Sequence, residues 1–200
     1  FQISVATSKY TKSELDICGF KNTTVISLPV SPLYFKSSLK KNIEGSLKSN
    51  INFLFVGRFA PNKGHKELIH LFHGIKNSFP NSNLVLIGSY NPNDKYYKKI
   101  KTIINKLDLE QSVIMPNHVS DKELHSYYSI SDFYLSCSKH EGFGVPILEA
   151  MWYDIPVFCY DTSSLRDTLN GSGVIIKYNN KGQFKDKLKE IMLDRDIYRK

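Results

Sequence analysis

Residues 51–88, INFLFVGRFAPNKGHKELIHLFHGIKNSFPNSNLVLIG, carry the pattern from which the fold is read. INFLFVG (51–57) is an unbroken apolar run closed by Gly57, as expected of a strand buried on both faces. A loop, RFAPNKG, follows, and then HKELIHLFHGIKNSF (65–79) places Leu68, Ile69, Phe72 and Ile75 on one helical face. NLVLIG (83–88) is a second buried run. Two strands joined through a helix pair in parallel, because the crossover returns the chain to the end at which it started.

Working outward, the alternation continues. KYYKKIKTIINKL (95–107) reads as a helix with Ile100, Ile103, Ile104 and Leu107 turned inward, and SVIMP (112–116) as a strand. SDKELHSYYSI (120–130) opens on Ser120 with Glu123 three residues on, a capping box. DFYLSCS (132–138), IPVFCY (155–160) and GVIIKY (173–178) complete six strands, with a helix GVPILEAMWY (144–153) between the first two and FKDKLKEIML (184–193) at the end. The expected fold class is α/β, a mostly parallel sheet with helices on both faces. Upstream, FQISVAT, SKYTKSELDIC and TTVISLP form a small βαβ unit whose helix ends at Gly19. Residues 33–50 are Ser-, Lys- and Asn-rich and read as a linker, dividing the chain into 1–32, 33–50 and 51–200. The chain starts without Met and already in the rhythm of a strand, so it is expected to be a piece of a longer protein.

Composition excludes several classes. Hydrophobic content of 41% and charged content of 23% are those of a globular protein, and no run approaches the ~20 apolar residues of a bilayer span. Cys18, Cys137 and Cys159 form no C-x-x-C pair, which argues against a disulfide framework or zinc site and for a reducing cytosol, each Cys being read as a small buried apolar residue. The net charge of +8 is spread over Lys-rich helices without interleaved aromatics. A solvated basic surface is the plain reading, peripheral contact with the inner face of the cytoplasmic membrane is the weaker one, and no nucleic-acid partner is expected.

Ligands of parallel sheets sit beyond the carboxyl ends of the strands, which directs attention to two loops. GRFAPNKG (57–64) offers Arg58 and Lys63 next to a helix N-terminus, where charge, dipole and free N–H groups suit a diphosphate, although loop cations are commonly just solvated. KHEGFGVP (139–146) has glycines flanking Phe143 at the mouth of another helix, with Glu141 before that positive end and Glu149 two turns inside. Leu148, Ala150, Met151 and Trp152 leave Glu149 little exposed surface, so its carboxylate needs a partner such as ribose hydroxyls or a cation.

These residues resemble glycosyltransferase family 4. Its signature is written around E-G-F-G-x-P-x-L-E-A, and this chain reads EGFGVPILEA (141–150). FVGRFAPNKG resembles the family's V-G-R…K-G loop, IGS echoes its G-D-G, and residues 5–31 resemble the last βαβ of its N-terminal domain. The resemblance implies the Rossmann-like C-terminal domain of a two-domain GT-B enzyme, with residues 1–32 a remnant of the acceptor domain. It implies a retaining transferase that moves a sugar from a UDP- or GDP-sugar to a glycan or lipid-linked acceptor, as in O-antigen and other surface-polysaccharide synthesis, with the acceptor held by the missing N-terminal domain. No cofactor or metal is expected. By the same resemblance Arg58 and Lys63, following Gly57, neutralise the donor diphosphate. Glu149 takes the ribose hydroxyls, and the amides of Gly142, Phe143, Gly144 and Val145 hold the sugar and distal phosphate. Glu141 faces the sugar, and the loop at His118 and Val119 lies against the base. Glu141, Arg58 and Lys63 would form the catalytic set. A noncatalytic nucleotide-binding or interaction module is the alternative.

Two departures from the family stand out. SSLRDTLN (163–170) has Arg166 where a Glu is frequent, read as a surface residue before a donor cation, and IGSY brings in Tyr90, either against the base or over the sheet edge. His140 could touch sugar or acceptor or be a structural hydrogen-bonder, and His65, His70 and His73 lack a third-ligand pattern for a metal.

Overall fold

The computed structural model describes residues 3–29, 47 and 50–193, the side chain of residue 193 excepted. Six strands form one sheet: β3 (Ile51–Val56), β4 (Ser82–Ile87), β5 (Val113–Asn117), β6 (Phe133–Ser136), β7 (Val157–Tyr160) and β8 (Val174–Ile176). Between them run α2 (His65–Lys76), α3 (Lys95–Lys106), α4 (Asp121–Ser129), α5 (Val145–Trp152) and α6 (Leu165–Leu169), and α7 (Lys181–Leu193) follows. Upstream, β1 (Ser4–Ala6), α1 (Lys9–Ile17) and β2 (Thr23–Val25) make a separate two-stranded parallel sheet with its helix. The α/β class and the small βαβ unit are as expected. The proposed linker lies outside the described residues except for Leu47 and Asn50. Leu47 is buried against the sheet, and its carbonyl accepts Asn52 Nδ2 at 2.9 Å.

The large sheet is parallel throughout, in the order β5-β4-β3-β6-β7-β8. Alternate residues of a strand face opposite sides. Phe53 and Phe55 therefore pack with α2, α3 and α7, whereas Leu54 packs with Tyr127, Tyr134, Ile147 and Leu165 on the other face. Both faces are covered, which is why the strands read as unbroken apolar runs. Leu68, Ile69, Phe72 and Ile75 are buried as their spacing requires, and Ile100 and Ile104 with them. Pro116 interrupts no ladder bond that matters, since β5 is the edge strand.

Local signals hold at several ends. Ser120 and Glu123 form the reciprocal capping box. Gly19 (φ 87°) closes α1 with Phe20 N donating to Leu15 O and Gly19 N to Asp16 O, a Schellman arrangement. Other boundaries move. The second helix stops at Lys76, and the upstream strands shrink to three residues each because each has one partner of that length. The helix α6 was not expected within SSLRDTLN. Its signal is Leu165 and Leu169 at i and i+4, both fully buried. Cys137 and Cys159 are buried, but Cys18 is exposed, since it caps the solvent side of α1 instead of packing.

Candidate functional site

The strand order reverses between β3 and β6, so the crevice lies beyond their carboxyl ends. The loops leaving these two strands are 57–64 and 137–144, the two that the sequence singles out. The order brings them side by side. Lys63 Nζ lies 2.7 Å from both Oε1 and Oε2 of Glu141, and the two side chains are 18% and 15% exposed. Lys139 N also donates to Asn62 O at 2.7 Å, and Lys139 Nζ pairs with Glu67 at 2.9 Å. Arg58, on the same loop as Lys63, is exposed and has no ion-pair partner among the described residues.

Two glycines permit close backbone approaches around the crevice. Gly64 (φ 70°) is the N-cap of α2, and a Cβ there would sit 2.0 Å from the carbonyl oxygen of Cys137 at the end of β6. A Cβ on Gly88 (φ 153°) would sit 2.0 Å from the Gly57 carbonyl, so β3 and β4 are pinched together where they end.

The signature loop is held by its carbonyls. Ser138 O accepts Thr162 Oγ1 at 2.7 Å, Glu141 O accepts Ser164 Oγ at 2.9 Å, and Phe143 O accepts Thr168 Oγ1. Gly142 O is met by the hydroxyls of Thr7, Ser8 and Thr11. Glu141 N donates to Ser163 Oγ at 2.7 Å. The N–H groups of Gly142, Phe143, Gly144 and Val145 find no acceptor among the described residues. With four carbonyls tied back and four amides open at the N-terminus of α5, the loop can receive an anion. Sequence reading located these amides but missed the hydroxyls that orient them. Ser163, Ser164 and Thr168 stand in the segment read only for Arg166. Nothing in a Ser-Ser-Leu string marks such a role until β6 and β7 are known to be neighbours.

Glu149 has a partner that sequence reasoning did not name. Tyr128 Oη donates to its Oε2 at 2.7 Å, and burial holds that phenol well above its ordinary pKa, so it remains a donor. Tyr153 stacks on Tyr128 with ring centroids 5.5 Å apart. One carboxylate oxygen is thus anchored within the protein. His118 is exposed, and Val119 packs partly against the second core face.

Arg166, Tyr90 and His140, each left with two readings by the sequence, make the following contacts. Arg166 pairs with Asp161 on the surface. Tyr90 stacks on Tyr97 at 4.3 Å, touches Phe59 edge-on, and donates its hydroxyl to Met115 O at 3.1 Å, covering the sheet edge. His140 Nε2 lies 2.9 Å from Glu14 Oε1.

His65, the first residue of α2, is fully buried, stacked on Phe59 at 4.3 Å and edge-on to Phe55 and Tyr96. Burial pulls its imidazole down to about 4, against a weaker opposing hydrogen bond to Ala60. The folded chain therefore binds this proton less readily than the unfolded one. Its stabilising effect is complete above pH ~6.5 and is lost as pH falls toward 4, by roughly 3 kcal/mol. Urea titrations at pH 7 and pH 4.5 are expected to show this loss, and His65→Phe should flatten that part of the profile.

The comparisons with known proteins agree with this architecture. The family model described as Glycosyl transferases group 1 matches residues 37–200. The chain belongs to the group 1 glycosyltransferases, and its six-stranded unit is the C-terminal domain of their GT-B fold. Among relatives, CapM of Staphylococcus aureus, a capsular polysaccharide biosynthesis glycosyltransferase, is 26% identical over 96% of this chain and 50% of its own length. A 41.2 kDa protein of the cps region of Klebsiella pneumoniae is 28% identical over 76% of this chain and 38% of its own. The chain thus spans half or less of these relatives. Among solved structures, Anabaena HepE in complex with UDP-glucose superposes with a TM-score of 0.87 at 19% identity, covering 99% of this chain and 56% of HepE. The C-terminal domain of LpcC from Francisella tularensis gives 0.69 at 22% identity, covering 86% and 92%. Among the described residues no helix is long and apolar enough to cross a membrane.

Proposed function

We propose that this chain is the donor-binding half of a retaining glycosyltransferase that moves a sugar from a UDP- or GDP-sugar to a glycan or lipid-linked acceptor in surface-polysaccharide synthesis. The observation that carries the reading is the crevice between β3 and β6. It holds four open amides at a helix N-terminus beside the Lys63–Glu141 pair. Diphosphate charge grows as the glycosidic bond breaks, so fixed cations and oriented amides stabilise the transition state more than the ground state. Arg58 and Lys63 take that charge, and the amides of 142–145 hold the distal phosphate and sugar. Glu141 faces the sugar hydroxyls, and Glu149, steadied by Tyr128, takes the ribose through its remaining oxygen. The loop carrying His118 and Val119 borders the base. A leaving phosphate oxygen can accept the acceptor's proton, so no enzymatic nucleophile is required.

Residues 1–32 are assigned to the acceptor domain, 33–50 to a linker and 51–200 to the donor domain. Exposed Val5, Ile17 and Ile26 on the upstream unit support its belonging to a larger core. The surface-polysaccharide assignment is supported by CapM, and UDP as carrier by the UDP-glucose complex of HepE.

Calorimetry with UDP, GDP and their sugars tests the reading. Binding in the micromolar to submillimolar range is expected, with no sugar transfer by this chain alone. An absence of heat with every nucleotide at millimolar concentration would reject nucleotide binding, and measurable transfer would reject the division of labour.

A further inference from the structure

Three hydroxyls from the upstream unit converge on one carbonyl of the signature loop. Thr7 Oγ1, Ser8 Oγ and Thr11 Oγ1 lie 3.2, 3.0 and 3.0 Å from Gly142 O, across more than 130 residues of sequence. Ser8 is also the N-cap of α1, its Oγ accepting Thr11 N at 3.0 Å. Two further contacts seat the same helix on the same surface. Glu14 pairs with His140, and Tyr10 N donates to Asp167 Oδ2 at 3.3 Å.

A peptide group is planar and trans, so its N–H points opposite to its C=O. All described peptide bonds here are trans. Fixing the Gly142 carbonyl toward α1 therefore fixes Phe143 N–H toward the other side. A glycine before that bond would otherwise let the peptide rotate at little cost. Phe143 O is tied separately by Thr168, so the residue is held from both of its peptides.

We propose that Thr7, Ser8 and Thr11 are positioning residues: they latch the Gly142–Phe143 peptide so that Phe143 N–H is presented to the distal phosphate of a nucleoside diphosphate. The latch rests on the donor-binding reading above. It also places part of donor recognition under the control of the upstream unit, because amide orientation depends on α1 being seated. A carbonyl has two lone pairs, so three hydroxyls are redundant and a single loss is buffered.

The test compares Thr7→Val/Ser8→Ala/Thr11→Val with Ser8→Ala alone in the full chain. Both variants lose the helix cap, but only the triple variant loses every donor to Gly142 O. Calorimetry is run with UDP and UMP, and with GDP and GMP in parallel. The monophosphates have no distal phosphate and report a merely structural effect. The triple variant is expected to bind the diphosphate about tenfold more weakly while monophosphate affinity stays within about twofold, and Ser8→Ala, which keeps two of the three donors, is expected to change the ratio of the two affinities far less than the triple variant does. An unchanged ratio of diphosphate to monophosphate affinity in the triple variant overturns the latch and leaves the donor-binding reading intact. Wild type that binds no nucleotide overturns both. Should the triple variant lose its cooperative thermal transition, Thr7→Val/Thr11→Val keeps the Ser8 cap and carries the same readout. A shift of about threefold in the ratio is expected there, and no shift overturns the proposal.

Discussion

Replacing Gly64 with alanine is expected to lower the unfolding free energy by about 4 kcal/mol, the sum of a strained backbone and a forced displacement. Gly64 holds φ 70°, a conformation costly to any residue with a Cβ, and the added carbon would lie 2.0 Å from Cys137 O. That oxygen is backbone at the end of a buried central strand, so it cannot swing away as a side chain could. Relief requires the loop after β3 to move off the loop after β6, which are the two loops that form the crevice. Nucleotide affinity should fall together with stability. Gly171 is the control, because it has φ 86° and open space around its Cβ position. Gly171→Ala should cost only about 1 kcal/mol, from the backbone alone. Urea unfolding of the two variants checks the argument, and equal losses would show that the close approach of the loops contributes nothing.

The second large effect concerns the pair at the centre of the crevice. Lys63→Ala is expected to weaken UDP binding about 100-fold, near 2.7 kcal/mol, as for loss of a charged hydrogen bond made worse by a stranded anion. The ammonium now spans both oxygens of Glu141 at 2.7 Å. A diphosphate must share or take over that ammonium, and Glu141 competes for it. Glu141→Gln removes the competitor and a like charge, so UDP affinity should be equal to wild type or a few-fold tighter. In the whole enzyme the same change should depress sugar transfer. The double variant should bind better than Lys63→Ala alone, since no unpaired carboxylate is left to repel the ligand. Calorimetry on the four proteins gives the cycle. Wild-type affinity in Lys63→Ala would remove Lys63 from the donor site.

Much of the candidate site is legible in the sequence. EGFGVPILEA marks the helix mouth proposed to receive an anion, and GRFAPNKG the two cations assigned to it, because glycine spacing, helix-start signals and charge type are local properties of the chain. Local chemistry also specified the capping box at Ser120 and the termination of α1 at Gly19. The partners were another matter. Tyr128 and Glu149 are on different helices, and Ser164 and Glu141 leave different strands, so their pairing depends on which strands are neighbours. Arg166 drew attention by its charge, whereas the uncharged hydroxyls around it hold the loop.

The parallel α/β class, the two loops and the four amides follow from the chain's local pattern, since hydrophobic period and turn residues act over a few neighbours. That β3 and β6 adjoin is a property of the folded sheet. That adjacency sets Lys63 against Glu141. Strand order is chosen by how the helices cover both faces of the whole sheet, a global packing condition that no single stretch of sequence expresses.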